Sequence, residues 1–370
     1  MNPLMLLASI AAAEPPVAAS EPGHTIAPLV EEGEPSYRHV PLWVGVAPMP
    51  RFGDDRPTVH HLSMSLGLAD ADRLEGSQLS LGGNRITEDV RGIQASIGGN
   101  LAGEVEGAQL SVGANISTGD LTGVQAAVGL NVADAVNGAQ TSTGLSVARE
   151  VRGAQFSVGA AITGDLKGAQ GAVGLSLARD VKGVQMSSGL NIARDVQGVQ
   201  LGIMNVSSSA RVQLGILNVS NDADVMLGII NVNKNGYNHV YGAAGLTDPL
   251  TVGVTYGGKR LYNLFEYAGQ GGQHSVSIGL GWHQPLGERL YVDVDAAAGG
   301  YTSQLLLTNT GLILRGRAVI GAQLAGPVAV FAGPVVQSVV HPFGNDDYDV
   351  GFHQMDAGDV VLGGQIGLRL

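Results

Sequence analysis

Apolar and small polar residues alternate along most of this chain, and the alternation recurs as a short repeated phrase. In VKGVQMSSGLNIARD (181–195), Val184 and Met186 point to one side of an extended chain, and Gln185 and Ser187 point to the other. This period of two predicts a β-strand, and the Asp and Gly that follow predict a turn. Each phrase therefore predicts one strand of about nine residues and one reversal.

The phrase can be followed by its glutamines, which recur 15 or 16 residues apart. They are Gln78, Gln94, Gln109, Gln125, Gln140, Gln155, Gln170, Gln185 and Gln200. Shorter versions follow at steps of 13 residues, as GIMNV (202–206), GILNV (215–219) and GIINV (228–232). A fixed short period is typical of a stacked or serially paired structure.

Two architectures accommodate such a phrase. In a β-solenoid each phrase is one coil, and parallel strands stack about 4.8 Å apart. In a membrane β-barrel each phrase is one antiparallel strand, with short turns alternating with long loops and aromatic girdles at both interfaces. Every reversal here looks alike, and Phe156 is the only aromatic residue between Gly53 and Gly236. We therefore predict a β-solenoid of about 15-residue units. One large antiparallel β-barrel that contains the repeats as strands is the alternative.

Like side chains of successive coils line up in the predicted solenoid. The structural repeat ladder is expected to contain Gln94, Gln109, Gln125, Gln140, Gln155, Gln170, Gln185 and Gln200. The face that carries Val, Leu and Ile is expected to form a dry core filled by small side chains. Acidic residues recur at the turns, as Glu104, Asp120, Glu150, Asp165, Asp180 and Asp195. Because Arg152, Lys167 and Lys182 stand beside them, we predict solvated turns and not a column of Ca²⁺ sites.

The composition changes after Gly236. Tyr, Phe and Trp crowd between Tyr237 and Tyr301, and alternating runs are separated by breakers such as QPLG (284–287). Ile366, Leu368 and Leu370 alternate in the closing run, as in the last strand of an outer-membrane barrel, although that strand usually ends in Phe. We predict an all-β chain in which the solenoid is joined to a C-terminal antiparallel, outer-membrane-like β-barrel.

The N-terminus has features of an export signal. Leu4–Ala13 is apolar, and small residues precede Glu14, but a basic segment before the apolar run is missing. The stretch after it is rich in Pro, Glu and Ala, which predicts a disordered linker. The predicted organisation is a signal peptide at 1–13, a linker at 14–36, a leading β segment at 37–74, the β-repeat region at 75–235 and the barrel-like domain at 236–370.

Composition excludes several classes of function. The formal net charge of −12 and the lack of basic clusters argue against a nucleic-acid partner. The sequence contains 56 glycines, which argues against a largely helical fold. It contains no cysteine, so disulfides and thiolate chemistry are excluded, which is compatible with an exported bacterial protein.

Candidate chemistry is sparse. No metal-ligand spacing, nucleophile elbow, P-loop or dinucleotide fingerprint is present, so no catalytic residue and no cofactor are predicted. The densest polar segment is HPFGNDDYDVGFH (341–353), where Asp346, Asp347 and Asp349 are weak candidates for a metal site. The favoured interpretation of this segment is a solvated loop between the last two strands.

Four segments carry a resemblance to a known family. They are the G-V-Q-x-G-I-x-N phrase, NKNGYN (233–238), VFAGP (330–334) and GGQIGLRL (363–370). Over about residues 75–370 the chain resembles bacterial surface proteins in which repeats are followed by an outer-membrane-like C-terminal region. The resemblance implies placement in the outer membrane or at the cell surface, and it implies no catalytic residue.

The expected function is that of a non-enzymatic structural or adhesive surface protein. Its repeats would form a display scaffold for an unknown surface ligand, and its C-terminal unit would be anchored in outer-membrane lipid. A pore-forming outer-membrane barrel is the alternative, and a secreted enzyme is the least supported class.

Overall fold

The computed structural model describes residues 36–49, 55–270, 273–302, 311–340, 348–350, 353–355 and 359–370. Strands make up 79% of the structure, and no helix occurs among these residues. The chain divides into two compact units, Met1–Gly189 and Leu190–Leu370. The predicted signal peptide and all but the last residue of the predicted linker lie outside the described residues.

Short parallel strands make up the first unit. They are β1 (Arg38–Gly45), β2 (Thr58–Ser65), β3 (Leu68–Ala71), β4 (Arg73–Ser80), β5 (Gly83–Ile86), β6 (Val90–Ser96), β7 (Gly99–Ala102), β8 (Val105–Ser111), β9 (Ala114–Ser117), β10 (Leu121–Ala127), β11 (Leu130–Ser142), β12 (Leu145–Ser157), β13 (Ala160–Ala172) and β14 (Leu175–Leu177), with β15 (Asp180–Ile192) at the boundary.

Neighbouring phrases pair in parallel and in register. Gln125 of β10 lies opposite Gln109 of β8 on one side and Gln140 of β11 on the other. Each phrase is therefore one coil, and the structure contains about 12 turns of a stacked β-solenoid. The predicted solenoid is confirmed. The alternative of one large antiparallel barrel is wrong, because strands joined as successive hairpins could not run parallel to their neighbours.

A glycine lies two residues before each ladder glutamine, where successive coils approach each other closely. Gly138 has a φ of +144°, in a region that favours glycine. A Cβ atom at Gly138 would lie 2.0 Å from the carbonyl oxygen of Gly123 in the preceding coil. Only glycine accommodates both the positive φ and the close contact with the preceding coil, which explains why the repeated phrase contains a glycine at this position.

The interior of the coils holds polar side chains beside a row of buried Val and Leu residues, such as Val136, Val151 and Leu166. Asn131, Gln140 and Ser142 are buried inside, whereas Phe156 and Val158 of the next coil are exposed. The predicted dry core of aliphatic residues alone is wrong, because amides and hydroxyls share the interior with these Val and Leu residues. The physical reason is that amide side chains stacked at strand spacing can bond to the same residue in the next coil, so they can be buried with their hydrogen bonds made.

The second unit begins with further coils and continues as antiparallel strands. The coil strands are β16 (Asp195–Leu214), β17 (Leu217–Leu227) and β18 (Ile230–Asn233). The antiparallel strands are β19 (His239–Gly245), β20 (Leu250–Gly257), β21 (Leu261–Gln270), β22 (Gln273–Pro285), β23 (Leu290–Thr302), β24 (Gly311–Ala325), β25 (Val328–Val340) and β28 (Val360–Arg369). A separate two-stranded sheet pairs β26 (Tyr348–Val350) with β27 (His353–Met355).

The antiparallel strands close into an eight-stranded barrel. Each pairs with the next along the chain, and β28 pairs with both β25 and β19. Tyr241 lies opposite Arg369 at this closure. The predicted antiparallel barrel is confirmed, and the segment that ends in Leu370 supplies its closing strand.

Candidate functional site

Charged side chains point into the barrel from four of its strands. Asp293 and Asp295 alternate with apolar residues on β23, and Arg315 and Arg317 do the same on β24. Glu266 on β21 and Arg369 on β28 join them, together with Asp248 from the turn after β19. Because successive strand residues face opposite sides, this alternation places every charge inside. We call these seven residues the lumen cluster.

Two arginines hold the centre of the lumen cluster together. Arg315 Nη2 lies 2.6 Å from Asp248 Oδ2, and Arg315 Nη1 lies 3.1 Å from Glu266 Oε2. Arg317 Nε lies 2.9 Å from Asp295 Oδ1, and Arg317 Nη1 lies 3.1 Å from Glu266 Oε1. Glu266 is thus shared by two guanidinium groups, and it also accepts a hydrogen bond from the Tyr241 hydroxyl. Paired in this way, these charges can be buried.

Asp293 organises the side of the lumen cluster that faces the end of the repeats. One of its carboxylate oxygens lies 2.6 Å from His283 Nδ1. The other accepts a hydrogen bond from the Tyr237 hydroxyl at 2.5 Å and lies 3.3 Å from Arg369 Nη1. The Arg369 guanidinium also stacks 4.0 Å from the centre of the Tyr291 ring. These contacts fill the lumen with side chains at this level.

The outside of the barrel is apolar. Many of its outward side chains are large, hydrophobic and substantially exposed, and we call them the apolar wall. Members are Val252, Val254, Phe265, Tyr267, Val276, Ile278, Leu280, Trp282, Val294, Leu312, Leu314, Ile320, Val336, Leu362, Ile366 and Leu368. A water-soluble barrel would expose its charges and bury its aliphatic residues, whereas this barrel buries paired charges beside Ile313 and Val319 and leaves the apolar wall exposed.

The coils of each unit also expose hydrophobic residues on one side. Residues one before, one after and three after a ladder glutamine face outward. In the first unit they include Leu79, Leu81, Ile93, Ile97, Leu110, Val112, Val124, Val128, Phe156, Val158 and Val173. In the second unit Leu201 and Ile203 follow Gln200, Ile216 follows Gln213, and Leu227 and Ile229 follow Met226, which takes the place of a glutamine.

The predicted acidic turns carry ion pairs. Arg149 Nε lies 2.7 Å from Asp134 Oδ1, and Arg179 Nη2 lies 2.7 Å from Asp165 Oδ1. The hydrogen bond from Arg149 holds the pKa of Asp134 below its usual value. Lys167 approaches Glu150 of the preceding coil at 3.4 Å. These pairs are solvent-accessible, as expected for solvated turns, and their partners include Arg149 and Arg179, which the sequence did not single out.

The predicted glutamine positions form one continuous row in the first unit. Gln109 Nε2 donates to Gln94 Oε1 at 2.8 Å, and Gln140 Nε2 donates to Gln125 Oε1 at 2.8 Å. The same bond recurs at Gln155, Gln170 and Gln185. In the second unit Gln213 Nε2 donates to Gln200 Oε1 at 2.7 Å. The asparagines form a second row, in which Asn100 Nδ2 donates to Asn115 Oδ1 at 2.8 Å.

The candidate metal residues are not brought together by the described structure. Asp346 and Asp347 lie outside the described residues, and Asp349 falls on β26, where its backbone alone is described. Among the residues that are described, no group of three or more His, Asp or Glu side chains could hold a metal ion.

The lumen cluster went unrecognised as a unit in the sequence, although a signal for it exists. The runs YVDVDA (291–296) and LRGRAV (314–319) each place two like charges two residues apart among apolar neighbours. Such a pattern puts the charges on one face of a strand. The pattern does not show which charges form ion pairs, because Glu266 and Asp248 lie far from these arginines in sequence.

No protein-family model matches this chain, and the search of curated proteins finds no match. No helix in the described part of the chain is both long and apolar enough to span a membrane.

Proposed function

We propose that this protein is a non-enzymatic structural or adhesive surface protein of a bacterial outer membrane. The barrel is its membrane anchor, and the coils are a scaffold that displays a surface to a ligand. The observation that carries the proposal is the reversed distribution of side chains in the barrel, with the apolar wall outside and the lumen cluster inside.

The energetics of the apolar wall support a lipid environment. Burying a Leu, Ile, Val or Phe side chain is favourable by about 1.5–3 kcal/mol relative to leaving it in water. The wall leaves many such side chains uncovered around the barrel. In a bilayer they would contact acyl chains, and a closed barrel meets the requirement that backbone groups in lipid be hydrogen-bonded internally.

The lumen cluster favours an anchor over a channel. An eight-stranded barrel has an interior just wide enough for side chains to fill. Arg315, Arg317 and Glu266 are buried inside and paired with one another, so they occupy the space that an aqueous pore would need. The resemblance to bacterial surface repeat proteins likewise implies placement in the outer membrane or at the cell surface.

Deletion variants test the division into anchor and scaffold. Removal of Val361–Leu370 takes away most of β28 and leaves β19 and β25 with unpaired edges, each backbone group of which costs several kcal/mol in lipid. We expect this variant to be lost from the outer-membrane fraction. Removal of Val151–Asp180 excises 30 residues, two complete repeats, and is the matched control. It is expected to fractionate like the intact chain.

Fractionation of the intact chain with the outer membrane is the first requirement of the proposal. Recovery of the folded protein in the soluble fraction, with the barrel intact, would refute the anchor. Loss of membrane assembly on removing the two repeats, as complete as the loss on removing β28, would refute the division of labour between the two regions.

A further inference from the structure

We propose that the last coil of the repeat region belongs to the membrane-contacting wall and packs against the acyl chains of the bilayer. Its contact surface consists of Leu227, Ile229, Ile230 and Val232, which we call the coil patch. This inference rests on the proposed role of the barrel as a membrane anchor, and it assigns a lipid contact to a segment of the repeats themselves.

The barrel wall is shortest where the last coil meets it. Strand β19 has 7 residues and β20 has 8, whereas β22 has 13 and β24 has 15. A tilted strand needs about 9–11 residues to cross the hydrocarbon core of a bilayer. Strands β19 and β20 alone are therefore too short, and another element must complete the apolar surface on this side.

The last coil is fixed to the end of β20 and the start of β21. Val225 of β17 pairs with Leu261 of β21, which continues the barrel sheet into the coil. The backbone N–H groups of Lys259 and Arg260 donate to the carbonyl oxygens of Ala223 and Asp224 at 2.9 and 2.8 Å. The backbone groups at this junction are thus paired, as lipid contact requires.

Side-chain hydrogen bonds fix the position of the coil patch against the same strands. Asn231 Nδ2 donates to Asn263 Oδ1 at 2.6 Å, and Asn263 Nδ2 donates to the Gly228 carbonyl at 2.9 Å. The two bonded residues, Gly228 and Asn231, flank Ile229 and Ile230 in the sequence. Because the chain is hydrogen-bonded to Asn263 on both sides of Ile229 and Ile230, the side chains of these two residues point outward from the coil.

The coil patch is exposed and uncharged, and it joins the apolar wall. Ile229 is 71% exposed, and Ile230 and Val232 are each 52% exposed. The hydroxyl of Tyr256 lies 3.4 Å from the Ile229 carbonyl oxygen. Tyr256 is two residues from the wall residue Val254 on the same face of β20, so the patch continues the wall without a break. Lys234, exposed two residues beyond Val232, marks its polar margin.

Acyl chains are the occupant that this continuity favours. Tyrosine is enriched where a barrel's apolar band meets the membrane interface, and lysine near such a margin extends its ammonium toward water. Tyr256 and Lys234 occupy these two positions beside the patch. A second protein copy on the patch would have to cover part of the barrel wall as well.

Site-specific labels test the inference without background, because the sequence contains no cysteine. An Ile229→Cys variant carrying a bimane fluorophore is reconstituted into phosphatidylcholine vesicles with brominated acyl chains, which quench fluorescence on contact. Asn221→Cys, exposed in β17, is the matched control. Val232→Cys replaces the first variant if that one does not fold. We expect the label at Ile229 to lose fluorescence and the label at Asn221 to retain it.

Trp282 separates failure of this inference from failure of the anchor. The sequence contains two tryptophans, Trp43 in β1 and Trp282 on the apolar wall, so a Trp43→Phe variant reports on the barrel alone. Quenching of Trp282 without quenching at Ile229 would overturn the coil patch and leave the anchor standing. No quenching of Trp282 would overturn both. A nitroxide at Ile229→Cys that shows dipolar coupling to its equivalent in another copy would assign the patch to a dimer and overturn the lipid contact.

Discussion

The coils and the barrel both bury polar side chains and expose many hydrophobic ones, but they satisfy their buried polar atoms differently. In the coils the partners are identical amides one phrase apart, as where Gln140 donates to Gln125. In the barrel the partners are opposite charges from distant strands, as where Arg317 meets Glu266 and Asp295. In the coils, repetition alone satisfies the buried amides, because each added phrase supplies a glutamine that bonds to the glutamine of the preceding phrase. The barrel needs a closed, unique arrangement, because each of its charges has specific partners.

The largest effect is expected when the barrel arrangement loses one charge. Arg317→Met leaves Glu266 and Asp295 buried with one fewer cation between them, which should lower the free energy of unfolding by about 3–5 kcal/mol. Urea unfolding in detergent micelles measures it. Arg179→Met in the coils is the control, since its pair with Asp165 is solvent-accessible and should contribute about 1 kcal/mol or less. Equal losses in the two variants would contradict the contrast between the regions.

The second effect concerns the backbone of the coils. Gly138→Ala places a methyl group against the Gly123 carbonyl at a φ of +144°, and this strain should destabilise the coils by about 1–3 kcal/mol before any shift of the neighbouring coil is counted. Gly242→Ala in β19 is the matched control, because no atom of the part of the chain that the structure describes lies within 4 Å of the added methyl. Thermal unfolding followed by circular dichroism measures both. If Gly138→Ala unfolds at the same temperature as the intact chain, close contact between coils is not the reason for a glycine at this position.

The third effect tests whether the ladder is held together by its amides. Gln140→Leu deprives Gln125 Oε1 of its donor inside the coils, which should cost about 1–3 kcal/mol. Thr141→Leu, the next residue and an outward one, should change the unfolding midpoint little. A Gln140→Leu variant as stable as the intact chain would mean that apolar packing can replace the amide row, and the polar interior would then need another explanation.

Periodicity in the sequence predicted more of the coils than of the barrel site. The single-strand repeat and the equivalent turns predicted parallel coils and the positions of Gln94 to Gln185, because a repeat fixes each residue's neighbour by its spacing alone. The repeat did not predict which face of each strand is buried, since alternation defines two faces but does not say which one is inside. We expected the aliphatic face to be buried because burial of apolar surface normally decides the matter. Here amides that bond to their own copies make the other face the interior.

In the barrel, the sequence predicted the antiparallel closure but not the lumen cluster. Tyr291, Asp293 and Asp295 alternate with Val292, Val294 and Ala296 in the sequence, which gives them a shared face. The bond from Arg315 to Asp248 joins residues 67 positions apart, and no local pattern specifies such a pair. The junction with the last coil was hidden for the same reason, because Val225 meets Leu261 through the fold and not through the repeat.

The smallest effect is a pH dependence at the start of the coils. His60 lies between Val40 and Leu74 in the strand register, and neither of its ring nitrogens has a hydrogen-bond partner among the described residues. Burial lowers its pKa, and the positive charge of Arg38 lowers it further. In the unfolded chain the pKa is about 6.5. As the pH falls below that value, the unfolded chain gains a proton that the folded chain does not, so stability declines until the pH reaches the lowered folded value.

At pH 6 the loss from His60 can reach about 0.8 kcal/mol relative to pH 8, the limit set by complete exclusion of the proton from the folded state. His60→Leu should remove this part of the pH dependence, because leucine fits between two aliphatic neighbours and does not titrate. Ser63→Ala, in the same strand and also buried, should keep it. Urea midpoints at pH 8, 7 and 6 provide the measurement. If His60→Leu and the intact chain lose stability in parallel, the decline arises from other groups.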